Sequence, residues 1–202
     1  MKSTVVTITG EGVGLQKAFA MTEECGTGCG LDPKSNLHLR LLSEELFGML
    51  RGIAGKVEAN YWLETEGKHF ELHMKSEIKM TPEMRTQFLA ASSSGKNAAA
   101  KGVMGKIRMM IAGALLSMKE AAPYAMMNTA AAYSAGWNVV DESTSVWSMS
   151  YYRKEMEESR SKSAEATDAW DELEKSIVAN IADDVKVKII GDHVEIIIDK
   201  AF

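Results

Sequence analysis

The sequence predicts an α+β protein: a two-layer α/β sandwich in which helices cover one face of a mixed sheet. Three observations carry this. Apolar residues recur at three- and four-residue steps from Leu39 to Ile53, the period of a helix with one buried stripe. Two stretches, around Tyr61–Met74 and Val185–Ile198, alternate apolar and polar residues on either side of a glycine turn, the period of half-buried hairpins. The helical stripe and the apolar strand faces must then bury against one another.

Each element follows in order. Thr4–Thr9 is rich in β-branched residues and reads as a strand, broken by Gly10-Glu11-Gly12-Val13-Gly14. Leu15–Glu24 reads as a short helix, ended by Gly26, Gly28 and Gly30. Asp32-Pro33-Lys34-Ser35-Asn36 is a helix-start cluster, and the next helix runs from about Asn36 to Gly55. Leu39, Leu42, Leu46, Met49, Leu50 and Ile53 form its stripe, while Arg40, Glu44 and Gly48 share a different face. A hairpin follows, turning at Glu66-Gly67-Lys68. Thr81-Pro82-Glu83 opens a short helix, Ser92–Asn97 is a loop, and a helix spans Ala98 to Met118. Lys119–Thr167 has no clear period: it is rich in Ala and Met, then in aromatic residues, then in charge. Asp168–Ala182 reads as a helix with a stripe of Trp170, Leu173, Ile177 and Ile181. The last hairpin turns at Gly191-Asp192. Residues 1–202 therefore read as a single domain, with 115–184 a helical insertion or lid-proximal subregion.

Composition narrows the function. The 202 residues are 46% hydrophobic and 25% charged, as in an ordinary globular protein. A net charge of −5 argues against a general nucleic-acid binder, which carries a basic excess. No apolar run reaches the roughly 18–20 residues of a membrane span. The first residues read as a strand and not as a signal-peptide core, so the expected location is the cytoplasm. Cys25 and Cys29 are too few for a disulfide-stapled fold and read as free thiols. The 14 methionines, several between Met104 and Met127, suit an irregular core or an adaptable groove.

Two glycine motifs fail on inspection. Gly10-x-Gly12 follows a strand and opens a helix, but Leu15 stands where a dinucleotide fingerprint has its third glycine, so the segment reads as a turn. The loop Ala90…Gly95-Lys96-Asn97 has Ala90 for the first glycine of a P-loop and Asn97 for its Mg²⁺-binding hydroxyl. His69, Glu71 and His73 share one strand face. Such a set can hold a transition metal, and the plainer reading is the solvent side of a hairpin. Trp137, Trp147, Tyr151 and Tyr152 read as core residues or as anchors for a partner.

The element order, with Leu41-Leu42-Ser43-Glu44-Glu45-Leu46-Phe47-Gly48-Met49 on the helix, resembles the histidine-kinase-like ATPase (GHKL) superfamily. Within it the likeness is greatest to the anti-sigma-factor serine kinases. It covers Thr4 to Leu115 and Val185 to Phe202. The family carries on this helix an acid that orients the nucleophile and, four residues on, an asparagine that binds Mg²⁺. The resemblance implies that Glu44 is the acid, and Gly48 stands at the asparagine position. It also implies ATP with Mg²⁺ as cofactor, and phosphates facing Gly95, Lys96, Asn97, Gly102 and Gly105 in a lid and a glycine-containing helix start. The family's adenine-binding Asp-x-Gly-x-Gly segment has no counterpart, since Met74-Lys75-Ser76-Glu77-Ile78 stands there. The implied role is regulatory, with a sigma factor, kinase or other regulator as protein partner, and the family includes homodimers. The alternatives are a catalytically inactive interaction module of the same fold and, more weakly, a metal-binding protein. A plain i, i+4 ion pair of Glu44 with Arg40 is the structural reading of the same acid, worth about 0.3–0.5 kcal/mol.

Overall fold

The computed structural model describes residues 1–53, 58–79, 111, 137–141, 144–160, 167, 170–171 and 173–202. Strand β1 (Val6–Thr9) is followed by α1 (Leu15–Gly28) and α2 (Pro33–Ile53), then by the hairpin β2 (Glu58–Glu66) and β3 (His69–Glu77). The next described elements are β4 (Trp137–Asp141), β5 (Thr144–Ser148), α3 (Met149–Ser159), α4 (Ile177–Ile181), β6 (Asp184–Ile190) and β7 (His193–Ala201). The seven strands form one sheet in the order β1-β2-β3-β7-β6-β5-β4.

Local chemistry explains the main elements. Asp32 caps α2: its Oδ1 accepts from the backbone N–H of Lys34 at 2.9 Å and of Ser35 at 3.1 Å, and Pro33 takes the first helical position. The bond from the Ser35 hydroxyl, chief among these contacts, holds the Asp32 carboxyl below its ordinary range. Helix α1 runs past its expected end at Glu24 to Gly28. Gly26 is a packing glycine where α2 crosses, since a Cβ there would lie 2.1 Å from Asn36 Oδ1 and 3.2 Å from Leu39 Cδ2. The chain leaves the helix at Gly30, with φ +74°. Both hairpins turn at glycines in the left-handed region, Gly67 at φ +60° and Gly191 at φ +58°.

The expected mixed sheet is corrected: every pairing among the described strands is antiparallel. Two helices separate β1 from β2. A helical hairpin returns the chain to the side it left, so β2 must run back beside β1; a single-helix crossover would have made the pair parallel.

One row of paired residues crosses all seven strands: Val6, Tyr61, Met74, Ile196, Val187, Trp147 and Trp137. The first six are buried, together with Ile8, Leu63, Phe70, Leu72, Val185, Ile189, Val194 and Ile198 on the same face. Leu39, Leu42, Leu46 and Phe47 of α2, Leu15 and Ala18 of α1, Met149 and Tyr152 of α3, and Val178 of α4 close the same core. Full burial of one such leucine contributes about 1.5–3 kcal/mol. The other face carries Trp62, Glu64, His69, Glu71, Lys186 and Glu195.

Of 115–184, expected as a helical insertion or lid-proximal subregion, residues 137–141, 144–160, 167, 170–171 and 173–184 are described. Among its described residues β4 and β5 extend the sheet beyond β6, and Trp147 and Tyr152 are core residues with rings 6.0 Å apart. The expected helix Asp168–Ala182 breaks at Lys175–Ser176, where the Ser176 hydroxyl caps α4. The break shifts the helical phase, so Val178 and Ala179 turn inward and Ile177 is exposed. The expected helices at Thr81 and over Ala98–Met118 lie outside the described residues, Ile111 excepted, which is helical and buried.

A buried hydroxyl pair ties α1 to the sheet. Tyr61 Oη lies 2.8 Å from Thr22 Oγ1, which donates to Ala18 O at 2.8 Å. Burial raises the Tyr61 phenol well above its ordinary range, so it stays a neutral donor. Tyr61→Phe removes one bond and leaves Thr22 satisfied, so a loss of about 1 kcal/mol is expected in urea unfolding, with the slope unchanged. An unchanged midpoint would show that this bond contributes nothing.

Candidate functional site

Helix α2 turns Leu39, Leu42, Ser43, Leu46 and Phe47 into the core. Arg40, Glu44 and Gly48 lie along a neighbouring strip, as their spacing predicts. Arg40 Nε donates to Glu44 Oε1 at 2.9 Å, and another guanidinium nitrogen pairs with Glu23 of α1. The guanidinium sits 5.3 Å from the Phe19 ring centroid, which helps fix its position. Glu44, about 40% exposed, is thus held in an ion pair with Arg40, which Glu23 shares. Burial first, and the charge of Glu44 second, push the adjacent Glu45 carboxyl above its ordinary range.

Gly48 is exposed, and a Cβ there would meet nothing within 4 Å. Packing therefore does not demand glycine at this position, and a side chain would fit. Gly95, Lys96, Asn97, Gly102 and Gly105 lie outside the described residues. The structure places Glu44 and Gly48 one helical turn apart on a shared strip, but gives neither a metal ligand at Gly48 nor an unpaired acid at Glu44.

A second feature is an open hollow of about 830 Å³ between the N-terminal segment, α1 and the β2–β3 turn. Met1, Met21, Cys25 and Cys29 give it a sulfur-rich wall. Both cysteines are free thiols. Burial, then the neighbouring Cys29 and Glu24, raise the Cys25 thiol, which favours the neutral thiol over a nucleophilic thiolate.

The third feature lies on the sheet face opposite the helices. The expected set His69, Glu71 and His73 divides there. His69 Nε2 is 2.7 Å from Asp199 Oδ1 on β7. His73 is buried, stacks on Trp62 with ring centroids 4.8 Å apart and planes 7° apart, and places Nε2 3.3 Å from Glu71 Oε2. Glu64, directly across from Glu71 in the β2–β3 register, joins this group. Reading along one strand missed Glu64 and Trp62; the two-residue turn between Glu66 and His69 fixes a register that brings both beside His73.

Among the described residues no helix is long and apolar enough to cross a membrane. No family model matches the chain, and no curated protein and no solved structure matches it either.

Proposed function

We propose that the chain is a regulatory protein on a divergent histidine-kinase-like ATPase fold, catalytically silent, acting by binding a protein partner. The element order supports this reading: β1-α1-α2-β2-β3 early, then a terminal hairpin that pairs beside β3 in the same sheet. The observation that carries the silent half is the strip on α2. The carboxylate aligned with the family's acid is engaged by Arg40 at 2.9 Å, and the metal-binding asparagine is replaced by Gly48. Loss of one buried partner forfeits about 1–3 kcal/mol, so missing metal and adenine contacts together weaken ATP by roughly 10²–10⁴-fold. A sigma factor or kinase is the partner class, and the cytoplasm the location.

Millimolar ATP with Mg²⁺ is therefore expected to leave the melting temperature unchanged, and no phosphate transfer to a partner serine should occur. Immobilised chain should retain a sigma factor or kinase without nucleotide. A rise in melting temperature with ATP, or retention that requires ATP, would overturn this reading in favour of an ATP-dependent anti-sigma-like kinase.

A further inference from the structure

We propose that Glu64, Glu71 and His73 form a binding site for a divalent first-row transition ion of the zinc type on the open face of the sheet. The proposal is independent of any nucleotide chemistry on α2.

Four observations carry it. One ligand atom from each of the three side chains lies within 4.8 Å of the others. Ligands of one tetrahedral ion with bonds of about 2.0–2.2 Å stand roughly 3.3 Å apart, so a small swing of the two half-exposed glutamates closes the set. His73 is only 7% exposed, and its Nδ1 is buried with no hydrogen-bond partner, an expensive state for a ring nitrogen. Glu195 Oε1 waits 3.7 Å from that Nδ1, just beyond hydrogen-bond range. With Nε2 on a metal, Nδ1 carries the proton and Glu195 becomes its acceptor, the usual carboxylate–histidine–metal arrangement.

Charge points the same way. Glu64 and Glu71 are directly opposed across β2 and β3, a pairing that destabilises a sheet unless a cation joins it. Lys2 Nζ supplies one charge at 3.0 Å, and Trp62 Nε1 donates at 2.9 Å; both go to Glu64 Oε1, which leaves Oε2 to turn toward His73. Trp62 stacked on the imidazole fixes its plane. One imidazole with two carboxylates suits a borderline divalent ion better than Cu(I), which prefers sulfur.

The test uses the full chain carrying Cys25→Ser and Cys29→Ser, so that thiols play no part. Stripped with chelator and titrated with Zn²⁺ in a calorimeter, it should bind one ion. His73→Gln, Glu71→Gln and Glu64→Gln should each weaken binding by tenfold or more, and Glu195→Gln by about tenfold through the second shell. His69→Gln should leave it unchanged, because His69 is committed to Asp199. Lys2→Met should tighten it by removing the competing ammonium. Co²⁺ should give visible absorption bands that His73→Gln abolishes, a readout that a merely structural role would not move. No binding at millimolar Zn²⁺, or binding indifferent to His73→Gln and Glu71→Gln in variants that melt as the parent does, would overturn the proposal.

Discussion

Replacing Trp147 by alanine is expected to cost about 4 kcal/mol of unfolding free energy, a large part of what a domain of this size has. The side chain is 1% exposed and sits on β5, sixth in the buried row that starts at Val6. Its cross-strand partners are Val187 and Trp137, and the Tyr152 ring stands 6.0 Å away. Truncation loses the apolar transfer of an indole and leaves a cavity that flanking strands cannot close without breaking their ladder. Denaturant unfolding followed by circular dichroism measures the loss. The exposed neighbour Tyr151 is the control, with an alanine change expected within about 0.5 kcal/mol. A Trp147→Ala loss under about 1 kcal/mol would mean that β4 and β5 are an appended layer that adds little to the core.

That segment also shows where the sequence stopped being legible. Helix α2 announced itself through Leu39, Leu42 and Leu46 and through the Asp32-Pro33 start. The hairpins did so through strict alternation about Gly67 and Gly191. In each case one buried face and one special backbone position act locally. Strand β5 has no such pattern: Thr144-Ser145-Val146-Trp147-Ser148 holds a single large inward residue, and its conformation comes from pairing with β6, more than thirty residues away. Sheet direction was legible but misread, because two helices between β1 and β2 already require an antiparallel return.

The sites divide along the same line. Arg40 and Glu44 are four apart on one helix, and their ion pair is visible in the sequence. Glu23 enters it only because α1 crosses α2 beside Gly26 and Asn36, a tertiary fact without a local signal. His73 was visible as an alternating position, but its burial was not. A histidine on the polar face is ordinarily wet; this one is dry because Trp62 lies flat on it from the neighbouring strand. Register arithmetic through the turn at Gly67 would have placed Glu64 and Trp62 there without coordinates.

The glycines after β1 separate fold from ligand chemistry most sharply, and Gly14→Ala is the change that tests them. Gly14 has φ +85°, where a Cβ costs about 1–2 kcal/mol. The added carbon would lie 2.2 Å from Thr7 O and 3.4 Å from Ile8 Cα, both backbone atoms of β1 that cannot rotate away. Helix α1 would have to lift from the strand it covers, and forced overpacking of this kind adds about 1–3 kcal/mol. The expected loss is therefore about 3 kcal/mol, read from the denaturant midpoint. Gly28→Ala on the same helix should behave oppositely: a Cβ there meets nothing within 4 Å, so alanine should be neutral or add up to about 1 kcal/mol through helix propensity and a less flexible unfolded chain. A glycine kept for a phosphate would show the reverse pattern at Gly14, with stability unchanged and only ligand affinity altered. Stability within about 0.5 kcal/mol of the parent would therefore reopen the Gly10–Gly14 turn as a ligand loop, and a loss near 3 kcal/mol would assign it to the close approach of α1 to β1.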